Sequence, residues 1–161
     1  LGKMDLPELQ AAPGAANTDN LSARPGKALV VEDSAIARKF LQLRLQRLGY
    51  RVHLARQGEQ ALEMLAADRY DVVCVDIDLG PAGHIDGLHV CQAIHQAAAE
   101  SRTAAPGVII VTGSRVAADR VRGSLAGCDA YLVKPVSNAD LVQALRLADP
   151  AFNTGFSTLE A

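Results

Sequence analysis

Apolar residues along this chain fall into short unbroken runs, and each run is followed by a segment in which they recur every three or four positions. The runs are Ala28-Leu29-Val30-Val31, Val72-Val73-Cys74-Val75, Val108-Ile109-Ile110-Val111 and Tyr131-Leu132-Val133. Short aliphatic runs bounded by turn residues predict strands buried on both faces. Arg51-Val52-His53-Leu54 alternates polar and apolar instead, which suits a strand at a sheet edge. Strands are therefore expected at 28–32, 51–54, 71–76, 107–112 and 130–133, with helices at 34–48, 57–67, from Asp86-Gly87 onward, at 116–126 and from Ser137. In the first helix Ala37, Leu41, Leu45 and Leu48 form one stripe, with Ile36, Phe40 and Leu43 beside it. That width suits a helix packed on a sheet, and Gly49 is placed to stop it. Ser137 and Asp140 have capping-box spacing, and Val136 and Leu141 have staple spacing.

Five strand–helix units with right-handed crossovers predict an α/β fold: a flavodoxin-like, doubly wound (βα)5 three-layer sandwich with parallel sheet order 2-1-3-4-5. Residues 27–148 would form this domain. Residues 1–26, rich in Ala, Pro, Gly and Asn, read as a disordered leader or linker, with Met4 a candidate start. Residues 149–161 read as a C-terminal tail in which Phe152 and Phe156 are candidates for docking.

Composition narrows the class. A net charge of −2 over 161 residues offers no basic footprint for nucleic acid. No apolar stretch approaches the roughly 20 residues of a membrane span, and no signal peptide is visible. The three cysteines, Cys74, Cys91 and Cys128, have no metal or redox spacing and read as reduced side chains of a cytoplasmic protein. The domain itself is expected to contact neither nucleic acid nor membrane.

The chemistry sits where the runs stop. The first run ends in Glu32-Asp33, the second in Asp76, the third in Thr112 and the last in Lys134-Pro135. In an open α/β sheet, ligands gather at the carboxyl ends of the strands. In order 2-1-3-4-5 the first and third strands are neighbours, so Glu32, Asp33 and Asp76 share one crevice. Three carboxylates there repel unless a cation joins them. Oxygen ligands without His or Cys suit Mg²⁺. A carboxylate beside Mg²⁺ is a competent phosphoryl acceptor. Lys134 can neutralise a phosphoryl oxygen, Thr112 can donate a hydrogen bond to it, and Gly113 leaves room for it.

These segments, Leu29-Val-Val-Glu-Asp-Ser34, Asp71-Val-Val-Cys-Val-Asp76, Asp86-Gly87-Leu88, Val111-Thr112-Gly113 and Ala126 to Pro135, resemble the response-regulator receiver (CheY-like) domain of two-component signal transduction. The resemblance implies transfer of a phosphoryl group from a phosphohistidine of a histidine kinase or histidine phosphotransfer protein onto Asp76. It implies self-phosphorylation and self-dephosphorylation rather than turnover. Asp33 would bind Mg²⁺ directly, Glu32 through water, and the main-chain carbonyl of Asp78 would complete the shell. Thr112 and Lys134 would hold the phosphoryl group, and Tyr131 would turn inward as Thr112 moves. The bond before Pro135 would be cis. Downstream partners would read the face made by the fourth helix, fifth strand and fifth helix, including Ala117, Ala118, Arg120, Val121 and Ser124.

Two departures from that family stand out. The Asp-Gly glycine, Gly87, follows the acceptor by eleven positions rather than eight, so the loop 77–86 is extended and carries Gly80-Pro81-Ala82-Gly83-His84. Acceptor-plus-two is a carboxylate, Asp78, and Ser114 is small; both would set how fast the phosphoryl group leaves. Two alternatives stay open: a haloacid-dehalogenase-like phosphatase using Asp76 and Asp78, and a receiver-fold interaction module that is not phosphorylated. The leader fits a linker after a kinase core, as in a hybrid histidine kinase tethered to a membrane, or precedes a stand-alone regulator.

Overall fold

The apolar runs become the five strands of one parallel sheet in the computed structural model, which describes residues 26–77, 79, 85–113 and 127–152. The strands are β1 (Lys27–Val31), β2 (Arg51–Ala55), β3 (Val72–Asp76), β4 (Gly107–Thr112) and β5 (Ala130–Val133). Their order is β2-β1-β3-β4-β5, as expected from the pattern, and all four pairings are parallel. The alternating segment is the edge strand β2. The continuous runs of β3 and β4 are buried throughout. The described helices are α1 (Ala35–Arg47), α2 (Gly58–Ala67), α3 (Gly87–Ser101) and α4 (Asn138–Ala148). The expected helix at 116–126, with Ala117, Ala118, Arg120, Val121 and Ser124, lies outside the described residues. So do Asp78, Ser114, His84 and Phe156.

The pleat sorts the strand side chains into two cores. Val30, Cys74, Ile109, Val111 and Leu132 face one side and pack with Leu41 and Leu45 of α1 and Leu141 and Leu145 of α4. Leu29, Val31, Val73, Val75 and Ile110 face the other and pack with Ala61 of α2 and Val90, Cys91 and Ile94 of α3. Each fully buried leucine contributes about 1.5–3 kcal/mol, so the helices are held chiefly by these stripes. Caps fix their starts. The Ser34 side chain accepts from the amide of Ala37, that of Asp86 from His89, and that of Ser137 from Asp140. The staple pair Val136 and Leu141 is buried in the same core. At Gly107 a Cβ would lie 2.0 Å from the Ala148 carbonyl oxygen, so only glycine lets α4 end this close to β4.

One expectation is corrected. The wide apolar surface of α1 is not all packed on the sheet. Ile36, Phe40 and Leu43 are 85%, 40% and 45% exposed. The five-stranded sheet is covered on this face by α1 and α4 together, so α1 needs only the Leu41–Leu45 stripe. Phe152, a docking candidate in the sequence, does pack on the domain. Asp149 and Phe152 are buried against Tyr50, whose hydroxyl donates to Asp149 Oδ2 at 2.6 Å and whose ring stacks on Phe152 with centroids 6.0 Å apart.

The Tyr50–Asp149 pair is closed by backbone, since Asp149 Oδ1 accepts from the amide of Ala151 at 3.1 Å. Tyr50→Phe would leave one buried carboxylate oxygen without its donor. Urea unfolding of this variant is expected to give a stability lower by about 1–3 kcal/mol, with circular dichroism unchanged before the transition.

Candidate functional site

Asp76 is the last residue of β3 and is buried. The neighbouring strand β1 ends at Val31, and the next two residues turn toward α1. That turn is pinned from the helix. The Ser34 amide donates to Glu32 Oε2 at 3.1 Å, and Arg38 Nη1 donates to the Glu32 carbonyl oxygen at 2.9 Å. Glu32 is only 1% exposed, whereas Asp33 is open to solvent. Ligand atoms of Glu32, Asp33 and Asp76 all lie within 4.8 Å of one another. The crevice expected at the strand-order reversal is therefore present, with its three carboxylates together.

Lys134 enters it from the far side of the sheet. Its backbone amide donates to the Thr112 carbonyl oxygen at 2.7 Å, and the bond to Pro135 is cis. Its Nζ donates to Glu32 Oε1 at 2.9 Å and to Asp76 Oδ2 at 3.2 Å. Burial pushes the Glu32 carboxyl up to about 7, with Lys134 pulling it down and Asp76 pushing it further up. Burial alone would lower the Lys134 ammonium, but the Glu32 hydrogen bond and the two carboxylate charges outweigh it and raise it above its usual value. A cluster of three acids with one cation still lacks positive charge.

The donor set fits a hard divalent ion. It offers carboxylate oxygens from Glu32, Asp33 and Asp76, with no nitrogen or sulfur ligand among them. Asp33 is the carboxylate of the three that faces solvent. Glu32 already spends one oxygen on a backbone amide and one on Lys134. Thr112 ends β4 beside this cluster and is buried. It lies on the same face of the sheet as Ile110, whose register partner on β5 is Tyr131. Tyr131 is half-buried against the α2–α3 core. The extended loop is closed at its far end by Gly87, where a Cβ would lie 2.4 Å from the Asp76 carbonyl oxygen. Glycine there lets the start of α3 come back against the end of β3, and the Gly87 amide donates to the Ile77 carbonyl oxygen. Leu79 is buried and anchors the near side of the loop. Sequence reasoning did not single out Ser34 and Arg38 as supports of Glu32. A Ser directly after the acid pair and an Arg four positions on were the available signal.

Comparison with known proteins agrees with this geometry. The family model for the response regulator receiver domain matches residues 28–146. The response regulator MprA of Mycolicibacterium vanbaalenii is 33% identical over 122 residues, covering 76% of this chain and 49% of that protein. The chain thus spans about half the length of the curated relatives it matches. The receiver domain of a sensor histidine kinase from Pseudomonas aeruginosa, solved with a magnesium ion coordinated in its active site cleft, is 30% identical. It superposes with a TM-score of 0.64 over 76% of this chain and 97% of that one. The response regulator TrrA of Thermotoga maritima, solved in complex with Mg²⁺-BeF, is 28% identical with a TM-score of 0.63, covering 75% of this chain and 96% of that one. The phosphatase alternative, in which Glu32 and Asp33 have no role, yields to this match. With the five-stranded topology, the acid crevice and the family match in agreement, the chain belongs to the response regulator receiver domains of two-component signalling.

Proposed function

We propose that Asp76 accepts a phosphoryl group from a phosphohistidine of a histidine kinase or histidine phosphotransfer protein, in a reaction that requires Mg²⁺. The observation that carries this reading is the convergence of Glu32, Asp33 and Asp76 within 4.8 Å, with Lys134 bonded to the acceptor carboxylate. Asp33 and Asp76 would hold the metal directly, Glu32 through water, and the Asp78 main-chain carbonyl would complete the shell. Mg²⁺ held by these residues would supply charge neutralisation for the phosphoryl oxygens. An Asp76 carboxylate oxygen attacks phosphorus, a P–O bond forms, and the P–N bond to the donor imidazole breaks with its electron pair returning to the ring. Lys134 moves its hydrogen bond from the carboxylates to a phosphoryl oxygen, and the Thr112 hydroxyl donates to another.

Movement of Thr112 toward the phosphoryl group frees space on its sheet face, and Tyr131, a near neighbour on that face, turns into it. This is a shift between two packings driven by new local charge. The downstream partner would read the face made by the expected fourth helix, β5 and α4. A groove of about 860 Å³ along β5 and α4, lined by Tyr131, Lys134, Pro135 and Leu147 among others, supports that choice. Asp78 and Ser114 would set the lifetime of the phosphorylated state, with Asp78 adding negative charge where water approaches.

Three measurements test the reading. Acetyl phosphate with Mg²⁺ is expected to label the wild-type chain stoichiometrically, and the label should vanish in Asp76→Asn and on chelation with EDTA; label persisting in Asp76→Asn would move the acceptor elsewhere. Without any phosphodonor, saturating Mg²⁺ should raise the Tm by about 2–6 °C, and Asp33→Ala should abolish that rise. The half-life of the phosphorylated state should change in Asp78→Asn relative to wild type, and equal half-lives would remove Asp78 from the account.

A further inference from the structure

One side chain of α1 grips the backbone on both sides of Asp33. Arg38 is the fourth residue of that helix. Side chains on a helix tilt toward its N-terminus, so a long one at this position reaches back over the cap. Arg38 Nη1 donates to the Glu32 carbonyl oxygen at 2.9 Å and to the Asp33 carbonyl oxygen at 3.4 Å. The Arg38 amide donates to the Ser34 carbonyl oxygen at 2.9 Å. Three successive carbonyls of the acid turn are thus bonded by one residue. Those of Glu32 and Asp33 belong to the two peptide planes that flank the Asp33 Cα atom. A peptide unit is planar, so holding both planes fixes φ and ψ of Asp33, and with them the direction of its Cα–Cβ bond.

Asp33 needs such a support more than the other two acids do. Asp76 is part of β3. Glu32 is held by β2 through its amide, which donates to the Ala55 carbonyl oxygen at 3.0 Å, and its carboxylate is held by Ser34 and Lys134. Asp33 is exposed and lies beyond the end of β1, so its reach toward an ion depends on its backbone. The helix itself gives no reason for a cation at this position. The N-terminus of a helix is the positive end of its dipole, which disfavours a guanidinium there. The first turn of α1 carries no acidic residue to offset that. The carbonyl oxygens of the acid turn supply the reason instead.

We propose that Arg38 is a positioning residue for divalent-cation binding: by bridging the Glu32 and Asp33 carbonyls it presets Asp33 as a ligand, and it acts through those hydrogen bonds rather than through its charge. The proposal rests on the reading of Glu32, Asp33 and Asp76 as an Mg²⁺ site. The two modes of action have opposite signs. A guanidinium near the crevice repels a second cation, so if its charge dominated, removing it would tighten Mg²⁺ binding. If its hydrogen bonds dominate, removing them lets Asp33 visit other backbone states. Binding then weakens, because the ligand has to be ordered as the ion arrives. Lysine keeps the charge but lacks the rigid fork of donors, so it does not restore the site.

The test is titration of the full chain with Mg²⁺ by calorimetry, joined to amide NMR of the metal-free chain. Groups that orient metal ligands typically contribute about 10–100-fold in affinity. Arg38→Met is expected to raise the Mg²⁺ dissociation constant about tenfold, the low end of that range, with Arg38→Lys close to it. In the metal-free chain the order parameter of the Asp33 amide should fall in Arg38→Met from the rigid range near about 0.85 to below about 0.6, while those of β3 stay as they are. Labelling by acetyl phosphate should need about tenfold more Mg²⁺ for half its maximal rate, yet recover at saturating Mg²⁺. An arginine that only supported the fold would lower the Tm and leave the Mg²⁺ dissociation constant of the folded chain unchanged. That result overturns the proposal, as does tighter Mg²⁺ binding in Arg38→Met or wild-type affinity in Arg38→Lys. If the wild-type chain binds no Mg²⁺, the metal reading fails and this proposal with it; binding that is the same in wild type and Arg38→Met removes this proposal alone.

Discussion

Everything at the carboxyl edge of this sheet turns on repulsion among three acids that the chain brings within one ion's width. Glu32 and Asp76 are both buried, and the Lys134 ammonium is ion-paired with both carboxylates. One ammonium cannot neutralise three carboxylates, so the crevice is left attractive to more positive charge. Lys134 bridges Glu32 and Asp76 here, and in the proposed phosphoryl transfer it would leave that bridge for the new oxygens. On the proposed function, the electrostatic frustration of the resting crevice is what would make it responsive. A crevice already neutral would have little reason to bind a metal or to rearrange when an anion is added.

The supports of that frustration are mostly backbone. Ser34 and Arg38 grip the Glu32 turn, Thr112 receives the Lys134 amide, and Gly87 lets α3 start against the end of β3. The side chains that carry charge are therefore placed by elements whose positions are set elsewhere, by the two leucine- and valine-rich cores. Changes in the cores would act on the crevice through geometry, while changes in Asp33 or Lys134 would act through charge with little effect on the sheet.

Much of this was legible in the sequence because the relevant signals are local. Continuous runs such as Val72–Asp76 mean burial on both faces, and the residue that ends each run is fixed in space once strand order is known. The order itself followed from one alternating strand, Arg51-Val52-His53-Leu54, which belongs at an edge. What was not legible depended on which surfaces meet. The two stripes of α1 look alike in sequence, and only the position of α4 beside α1 shows that Leu41 and Leu45 are covered while Ile36, Phe40 and Leu43 are not. Phe152 was a docking candidate without a known partner, and Asp149 looked like tail because Pro150 interrupts the pattern. Their partner, Tyr50, lies about a hundred positions away, in a turn that gives no sign of it.

Tyr50 also has a topological consequence. A Cβ at Gly26 would lie 2.8 Å from its ring, while Asp149 and Phe152 close on it from the other end of the chain. The first described residue and the last ones therefore meet at a single side chain, beneath the sheet and away from the acids. A domain tied off in this way behaves like a bead with both strings leaving from one knot. It can be moved between longer proteins, or inserted into them, with the knot carried along and the working edge undisturbed.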